Sequence, residues 1–404
     1  MNKTGKWLII IFVSLFFIKP IGIEYLSETI NSIYDYGTYF AFFISVVLFV
    51  AKSMSRKRIS TPLIIFIVYM AYMVLNTAFQ DGPVINCMRI WGLSFATMCL
   101  FESFKKNYCM LLRVWEVLLS LLCFINLVMI LQYPLGMYVL EGTGYTSCWL
   151  LGYKSSFQYY FIPLLLISSL FAQYKHEWKI HLFNLAIIHL SSVLAWNAMF
   201  VVSILIYDVL FFLKIYEKEV FNVHNTSIVV IGTNVAFVFF STIMTQFAPL
   251  YYFFNNILGK TNNLMIRFLN WNKSFEFILA NPVFGYGHTT GREMMSYFHI
   301  SVMHIHNQFL HVMLQGGGIG LILFVLIFYT VCKHIDDNHN LKASKSILLV
   351  LFALFISVVV EIFFTYLANL IWPITLLGYN IKELDTQFDR CKTKQVRTLI
   401  LKTH

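Results

Sequence analysis

A stretch rich in histidine, His304-Ile305-His306-Asn307-Gln308, contains the residues best suited to acid-base chemistry in this chain. Histidine exchanges a proton near neutral pH, so it can act as a general base that activates a hydroxyl group. Earlier in the chain, Arg267 and Trp271 are four residues apart, which places them on one face of a helix. Such a pair could anchor a helix at a membrane surface or belong to a functional site. The histidines therefore indicate a site for proton transfer, and the role of the Arg267 and Trp271 pair stays open at this point.

Two other kinds of chemistry have weaker support in the sequence. His299, His304 and His306 could serve as metal ligands, but they lack the spacing of known motifs such as HExxH, so we predict no metal and no cofactor. A retaining glycosidase needs two carboxylates across one bond. Nothing pairs Glu276 with Glu293, the acids nearest to the histidines.

The composition sets the environment in which these residues act. The chain has 404 residues, of which 59% are hydrophobic and 12% charged, about half the charged fraction of a soluble protein. At about 20 apolar residues per spanning helix, there is room for about a dozen spans. We therefore predict an all-α polytopic integral membrane protein with about 12 transmembrane helices. The predicted spans are 7–23, 36–51, 61–79, 84–101, 112–132, 157–173, 180–195, 198–213, 227–246, 305–331, 346–361 and 366–380.

The distribution of lysine and arginine predicts the orientation of these spans. With the N-terminus inside, 22 of the 29 basic residues fall in segments on the inner side, as expected for cytoplasmic loops. We therefore expect a bacterial cytoplasmic membrane protein with both termini in the cytoplasm. The net charge of +10 then reflects topology and anionic lipid, so we predict the bilayer as a partner and no nucleic acid.

The predicted topology leaves two outer connections that are too long for turns, a smaller one at 133–156 and a larger one at 247–304. Segment 247–304 separates the ninth span from the tenth, and long connections of this kind tend to be functional. Within it, 266–279 is patterned as a short amphipathic helix that ends at Asn281-Pro282. We expect four regions: helices 1 to 9 in 1–246, the large outer loop with the substrate site in 247–304, helices 10 to 12 in 305–380, and a basic cytoplasmic tail in 381–404.

Several short motifs together resemble the O-antigen ligase and Wzy-type polysaccharide polymerase superfamily. They are RFLNW at 267–271, NPVFGYG at 281–287, and His306-Asn307 followed after nine residues by Gly317-Gly318-Ile319-Gly320. The order of the motifs, the number of spans and the large outer loop all agree with the pattern of that family. The resemblance covers most of the chain in architecture and about 55 residues in motifs.

The resemblance implies a GT-C-type glycosyltransferase that uses an undecaprenyl-diphosphate-linked saccharide at the outer face of the membrane. By this resemblance Arg267 binds the diphosphate and His306 is the base, while Trp271 and Asn307 are candidate substrate-binding residues. The acceptor would be a growing polysaccharide chain in a capsular or O-antigen polymerase, or a lipid A core in a ligase; we favour the polymerase. A flippase and a chain-length regulator are the protein partners that such a role implies.

One departure from the family pattern concerns a second cation. Members often have a Ser-Arg pair before the large loop, whereas the stretch here reads SSVLAWNA at 191–198 and has no arginine. We expect Arg292, Lys260 or Arg89 to take over its role, with Arg292 preferred.

Two rival functions remain open from the sequence. Glu24, Glu28 and Asp35 in the first outer loop could serve another class of lipid-linked sugar transferase, although solvation at the membrane surface explains them equally well. A lipid-linked oligosaccharide flippase would be a non-enzymatic alternative. It should show repeated halves and charged residues inside spans. We find no repeat, and Asp208 is the plainest acid within a predicted span.

Overall fold

The computed structural model describes residues 2–55, 58–140, 145–246, 261–298, 304–364 and 368–400. Nearly all of these residues are helical. The helices are α1 (Lys3–Phe17), α2 (Ile23–Leu26), α3 (Glu28–Ser55), α4 (Thr61–Phe79), α5 (Val84–Ser103), α6 (Tyr108–Gln132), α7 (Gln158–Lys175), α8 (Trp178–Leu194), α9 (Ala198–Phe212), α10 (Val223–Gln246), α11 (Thr261–Ala280), α12 (Gly291–Tyr297), α13 (Gln308–Asp336), α14 (Lys342–Ser357), α15 (Pro373–Tyr379) and α16 (Ile381–Ile400).

Three short strands interrupt the helical pattern between α6 and α7. They are β1 (Tyr138–Leu140), β2 (Tyr145–Trp149) and β3 (Gly152–Tyr153), and they form one antiparallel sheet in the order β1-β2-β3. Cys148 of β2 is opposite Tyr138 on one side and Tyr153 on the other. This sheet occupies the smaller of the two long outer connections.

Within the described ranges, seven helical segments are long and apolar enough to cross a membrane, and they belong to α3, α4, α5, α6, α7, α10 and α13. The prediction of an all-α polytopic membrane protein is therefore confirmed. Four further predicted spans coincide with the shorter helices α1, α8, α9 and α14. The last predicted span, 366–380, differs most, since its described part holds a short 3-10 turn and the seven-residue α15. Such a helix rises only about 10 Å, against a hydrocarbon core of about 30 Å.

The loops that the sequence assigns to the inner side meet at one end of the helical bundle. The Gln387 amide donates to the Lys105 carbonyl (2.6 Å), and the Lys345 ammonium donates to the Glu217 carbonyl (2.9 Å). The predicted tail 381–404 is not a free extension in its described part. Helix α16 buries Ile381, Leu384 and Phe388 against the bundle, because its apolar residues recur at helical spacing.

Helix α13 is broken where the sequence places its glycines. Gly317 has φ 58° and ψ −160°, which is outside the helical region. A Cβ at this position would lie 2.3 Å from the Val283 carbonyl oxygen, so only glycine fits. Gly317 thereby admits a segment of the outer loop to the helix backbone. Gly316 and Gly320 face Tyr72 and Met73 of α4 at close range.

The turn after α11 is hydrogen-bonded to this break. Backbone N–H groups of Tyr286 and Gly287 donate to the carbonyls of Leu314 (2.9 Å) and Gln315 (2.8 Å). The Gly318 N–H donates in turn to Pro282 (2.8 Å). The broken helix thus supplies hydrogen-bond partners for the backbone groups of the turn.

Side chains of α4 complete the same junction. The Asn76 amide donates to the carbonyls of Phe284 (2.7 Å) and Gln315 (3.1 Å), and the Tyr72 hydroxyl donates to Gly316 (2.7 Å). These bonds satisfy carbonyl groups that the helix break leaves without helical partners. The C-terminal part of the outer loop is thereby fixed to two helices.

Candidate active site

Glu361 joins the two residues that the sequence predicted for catalysis. One carboxylate oxygen lies 2.7 Å from Arg267 Nη2 and the other lies 3.1 Å from His306 Nδ1. The three side chains come from α11, from the segment before α13 and from the segment after α14. They are mostly enclosed, with 18%, 16% and 11% of the side chains of Arg267, His306 and Glu361 exposed. The structure therefore brings a base, a cation and an acid together.

The backbone at His306 is held in an unusual conformation. Its φ is 55°, a left-handed value that generally costs a non-glycine residue about 1 to 3 kcal/mol. We predicted that His306 begins the helix, but α13 begins at Gln308 and Asn307 is its N-cap residue. The Asn307 side chain accepts a hydrogen bond from the Leu310 N–H (3.0 Å) and donates to the Val359 carbonyl (3.0 Å). These contacts fix the histidine before the helix.

The carboxylate segment is held by the same helix start. The Gln308 side-chain carbonyl accepts hydrogen bonds from the N–H groups of Phe363 (2.8 Å) and Phe364 (3.0 Å). The Gln308 N–H donates to the Val358 carbonyl (3.1 Å). Glu361 lies between these anchoring points. Its distance to His306 is consequently set by backbone contacts on both sides.

Arg267 and Trp271 face the site from α11, as their spacing predicted. Arg267 Nη1 also donates to the Val360 carbonyl (2.5 Å), so two of its five N–H groups have partners in this cluster. The Trp271 ring is fully buried and its indole N–H donates to the Ile305 carbonyl (2.6 Å). Because the ring is enclosed by protein, Trp271 does not lie at the surface, where an interfacial anchor would have to be. Its contact positions the residue that precedes His306.

The charges around Glu361 determine its protonation. Burial alone would raise its pKa, but the neighbouring His306 and Arg267, through their charges and hydrogen bonds, lower the pKa to about 2. The ionised carboxylate can only accept hydrogen bonds, so His306 Nδ1 carries the hydrogen that lies between them. In the neutral ring, the other nitrogen, Nε2, is then the one able to accept a proton, and the imidazolium that forms is stabilised by the carboxylate.

The remaining histidines of this region have different surroundings. Burial and the neighbouring His306 lower the pKa of His304 to about 4, so its ring is neutral at pH 7. His311 is buried within α13, and its Nδ1 has no hydrogen-bond partner among the described residues. Within the described ranges, no group of three or more His, Cys, Asp or Glu side chains is arranged to hold a metal ion.

The other predicted site residues are distributed as follows. Asn307 is fully buried and bonded to protein groups, including Asn234 Oδ1 at 3.3 Å. Arg89 is exposed on α5 and takes part in none of the cluster's hydrogen bonds or ion pairs. Arg292 belongs to α12, but its side chain is outside the described part of the structure, as is all of Lys260.

Glu361 is the site residue that the sequence analysis did not select. In the predicted topology it is the last residue of the span 346–361. A signal was present, since Glu361 is the only acid in the apolar run from Ile347 to Phe364. Ionisable residues in such runs are costly and tend to be functional. Its pairing with Arg267 and His306 requires contacts between distant parts of the chain, which local patterns do not reveal.

Comparisons with known proteins agree with the sequence motifs. The model of the family described as O-antigen ligase matches residues 95–325, which is more than half of the chain. A protein of Rickettsia conorii named "Putative polysaccharide ligase" is 33% identical over 90 residues. That match covers 19% of this chain and 22% of the relative's length.

Proposed function

Since the chain belongs to the O-antigen ligase family, we propose that it transfers saccharide units from a lipid diphosphate to a sugar hydroxyl. The observation that carries this proposal is the Glu361 carboxylate bridging His306 and Arg267. It combines an oriented proton acceptor with a cation, the two groups that such a transfer requires. We propose the outer face of the bacterial cytoplasmic membrane as its location, with both termini in the cytoplasm.

In the proposed reaction the acceptor hydroxyl attacks the anomeric carbon of the lipid-linked saccharide. The hydroxyl proton passes to His306 Nε2 while the new glycosidic bond forms. Glu361 keeps the hydrogen of Nδ1 in place and stabilises the imidazolium that results, as the buried acid does in a catalytic triad. The bond from the anomeric carbon to the diphosphate oxygen breaks, and the lipid diphosphate leaves with the electron pair.

Arg267 has the position and donors to stabilise that leaving group. Charge develops on the diphosphate oxygens as the bond breaks, and guanidinium N–H groups bind such oxygens bidentately. Two N–H groups of Arg267 are used in the cluster, and three are left for a ligand. The arrangement accounts for leaving-group stabilisation with protein groups alone, so we propose a reaction that does not depend on a metal ion.

The lipid chain of the donor has a suitable surface beside the cluster. A groove between α10, α11 and α13 is lined mainly by apolar side chains, and Asn234 at its edge contacts Asn307. The lining residues are Asn234, Val235, Val238, Phe239, Phe275 and Leu310. We propose that the undecaprenyl chain occupies this groove with its diphosphate toward Arg267.

Within this function we favour a polymerase over a ligase. The stretch 191–198 departs from the common family pattern, as expected where substrates vary widely. The family description and the relative's name both refer to ligases, so the acceptor has to be tested directly. The polymerase acceptor is a growing lipid-linked chain, while the ligase acceptor is a lipid A core.

The decisive experiment uses purified full-length protein in vesicles with the producing strain's own undecaprenyl-diphosphate repeat unit. We expect a ladder of lengthened saccharides from the donor alone, without added metal ions. A product formed only when lipid A core is supplied would identify a ligase. Movement of the donor across the bilayer with no new glycosidic bond would refute a transferase and support a flippase.

The proposed orientation has its own test by cysteine labelling in intact cells. Ser274 lies in the outer loop, but it is buried and its hydroxyl donates to Asn270. A labelling site must be exposed, so we choose Tyr297, which is 70% exposed, on the predicted outer side. Val220, which is 62% exposed, is the control on the predicted inner side. A membrane-impermeant reagent should label Tyr297→Cys and leave Val220→Cys unlabelled. The reverse result would contradict the orientation.

A further inference from the structure

A lysine from the smaller outer segment lies against the candidate active site. Lys154 begins the short helical turn Lys154–Phe157, directly after β3, and its side chain is partly buried. Its ammonium group is 5.6 Å from the centre of the Tyr153 ring. The segment that carries it is far from Arg267 and Glu361 in sequence. Its position therefore depends on tertiary contacts.

Those contacts join the Lys154 segment to the Glu361 segment. The Tyr159 hydroxyl donates to the carbonyl of Ile362 (3.1 Å), the residue after Glu361, and the rings of Tyr159 and Phe363 are 5.8 Å apart. Burial and the charge of Arg267 lower the pKa of the Lys154 ammonium, while the charge of Glu361 raises it. Burial and the charge of Glu361 raise the pKa of the Tyr153 hydroxyl, and the charge of Arg267 lowers it.

The charges of this region do not cancel. Glu361 is shared by Arg267 and His306, and among the described residues Lys154 has no carboxylate within 4 Å. The region thus holds two basic side chains, Arg267 and Lys154, for the one carboxylate of Glu361. An excess of positive charge in a partly enclosed site favours an anionic ligand, and two separate cations suit a ligand with two phosphate groups.

We propose that Lys154 is the second cation of the site and binds one phosphate of the lipid diphosphate while Arg267 binds the other. This inference rests on the proposed function. Lysine suits the task because its ammonium is a point charge on a flexible stem that can follow the diphosphate as it leaves. The sequence analysis counted Lys154 among the outer cations but proposed Arg292, Lys260 or Arg89 for this role.

The structure also connects Lys154 to the stretch that has no arginine. Asn197, within 191–198, donates its side-chain amide to the Lys154 carbonyl (2.8 Å). Many family members have a Ser-Arg pair at this place. In this chain Asn197 of the same stretch instead binds the backbone of Lys154, which belongs to another segment. The cation reaches the site from the loop between α6 and α7 instead of from the turn between α8 and α9.

Binding to purified full-length protein tests this role directly. The probes are undecaprenyl diphosphate, undecaprenyl monophosphate and undecaprenol, and the variants are Lys154→Gln, Lys154→Met and Lys154→Arg. Loss of one charge-assisted contact should weaken diphosphate binding by roughly tenfold or more. Monophosphate binding should change less, since Arg267 alone can hold one phosphate. Lys154→Arg should bind the diphosphate nearly as well as the parent.

A matched control is Lys19→Gln, because Lys19 also lies on the outer side but is paired with Asp35 at 2.7 Å. It should bind all three probes like the parent. Unchanged diphosphate binding in both Lys154→Gln and Lys154→Met, with a loss in Arg267→Ala, would refute the Lys154 role alone. If the parent bound the diphosphate and undecaprenol with equal affinity, the site would not recognise phosphate, and the proposed function would be contradicted as well. A purely structural role of Lys154 would weaken all three probes equally, which overturns the inference too.

Discussion

Arginine pairs with carboxylates at both ends of this molecule, and the two clusters differ in how the charge is compensated. At the end where the predicted inner segments meet, Arg113 contacts Glu116 and Glu177, both at 2.5 Å. At the opposite end, Arg267 shares the single carboxylate of Glu361 with His306. The inner arginine has two acids and stacks on Phe171 at 3.8 Å. Arg267 shares its one carboxylate with His306, and three of its five N–H groups have no partner in the cluster.

The backbones that carry the two clusters differ in the same way. Arg113 and Glu116 are on one regular helix, where residues three apart are neighbours. The outer cluster is built from a left-handed histidine, a helix start and a segment after a helix end. Regular helices with compensated charge indicate a structural ion pair. Irregular backbone with uncompensated charge indicates a site prepared for a ligand.

The largest effect should come from His306. A positioned base contributes about a hundred- to ten-thousand-fold to such a reaction, so His306→Ala should lower kcat by that factor while protein remains in the membrane. The measurement is polymer or ligated product from purified lipid-linked donor. His304→Ala and His311→Ala are the controls and should be milder. Full activity in His306→Ala with an inactive His304→Ala would show that the base is misassigned.

Replacing each of the two arginines with alanine is a direct test of the comparison. Arg267→Ala should reduce kcat about a hundred- to a thousandfold, as expected for loss of a group that stabilises developing charge. Lysine should restore little, because it lacks the planar pair of donors. Arg113→Ala should instead lower the amount and thermal stability of the protein, with nearly parental activity per folded molecule. Similar phenotypes for the two variants would eliminate the distinction between the clusters.

Glu361→Gln should lower kcat by no more than loss of the base does, at most about ten-thousandfold, because the amide keeps the shape but no longer fixes the histidine tautomer. Stability adds a pH signature. The folded-state pKa of about 2 is below the usual 4.5, so the carboxylate stabilises the fold above pH 4.5, and this contribution is lost as the pH falls toward 2. The difference in thermal unfolding between parent and variant should therefore shrink over that range. A difference independent of pH would argue against the ion pairs.

The smallest effect should follow from Trp271→Phe. The ring is retained and only the hydrogen bond to the Ile305 carbonyl is lost, at a cost of about 1 kcal/mol or about fivefold. Since Trp271 acts through the position of His306, kcat should fall and KM should stay near the parental value. Steady-state kinetics with the purified donor separate the two. A rise in KM alone would assign the ring to substrate binding.

Much of the architecture could be predicted because hydrophobic run length is a strong and local signal. The spans in 36–132 and the helix carrying Arg267 and Trp271 follow from apolar periodicity and from Pro282 as a terminator. Chain segments assigned to one side by their basic residues also meet at one end of the bundle, as the Lys105 and Gln387 contact shows. The end of the chain was harder to predict, since the buried apolar side chains of α16 in its described part, Ile381, Leu384 and Phe388, are spaced among polar residues.

The site was predictable in part for a related reason. Arg267 and His306 stand in motifs that can be recognised in sequence, and the structure places both against one acid. Glu361 and Lys154 stand alone in their segments, so their association depends on how α7, α11 and α14 pack. The conformation of His306 was also beyond local patterns. Its φ is imposed by the contacts of Ile305 and Asn307 with other helices.

The backbone pairing between the 282–287 turn and the break at Gly317 bears on how this protein can be engineered. The turn's hydrogen-bond partners are the Leu314 and Gln315 carbonyls together with Asn76 of α4, so its anchoring surface is dispersed over the chain. A chimera that transplants only the outer loop from another family member would leave those groups unmatched. A chimera designed to change the donor substrate would therefore have to transfer three segments together: the loop, the glycine break and the facing turns of α4.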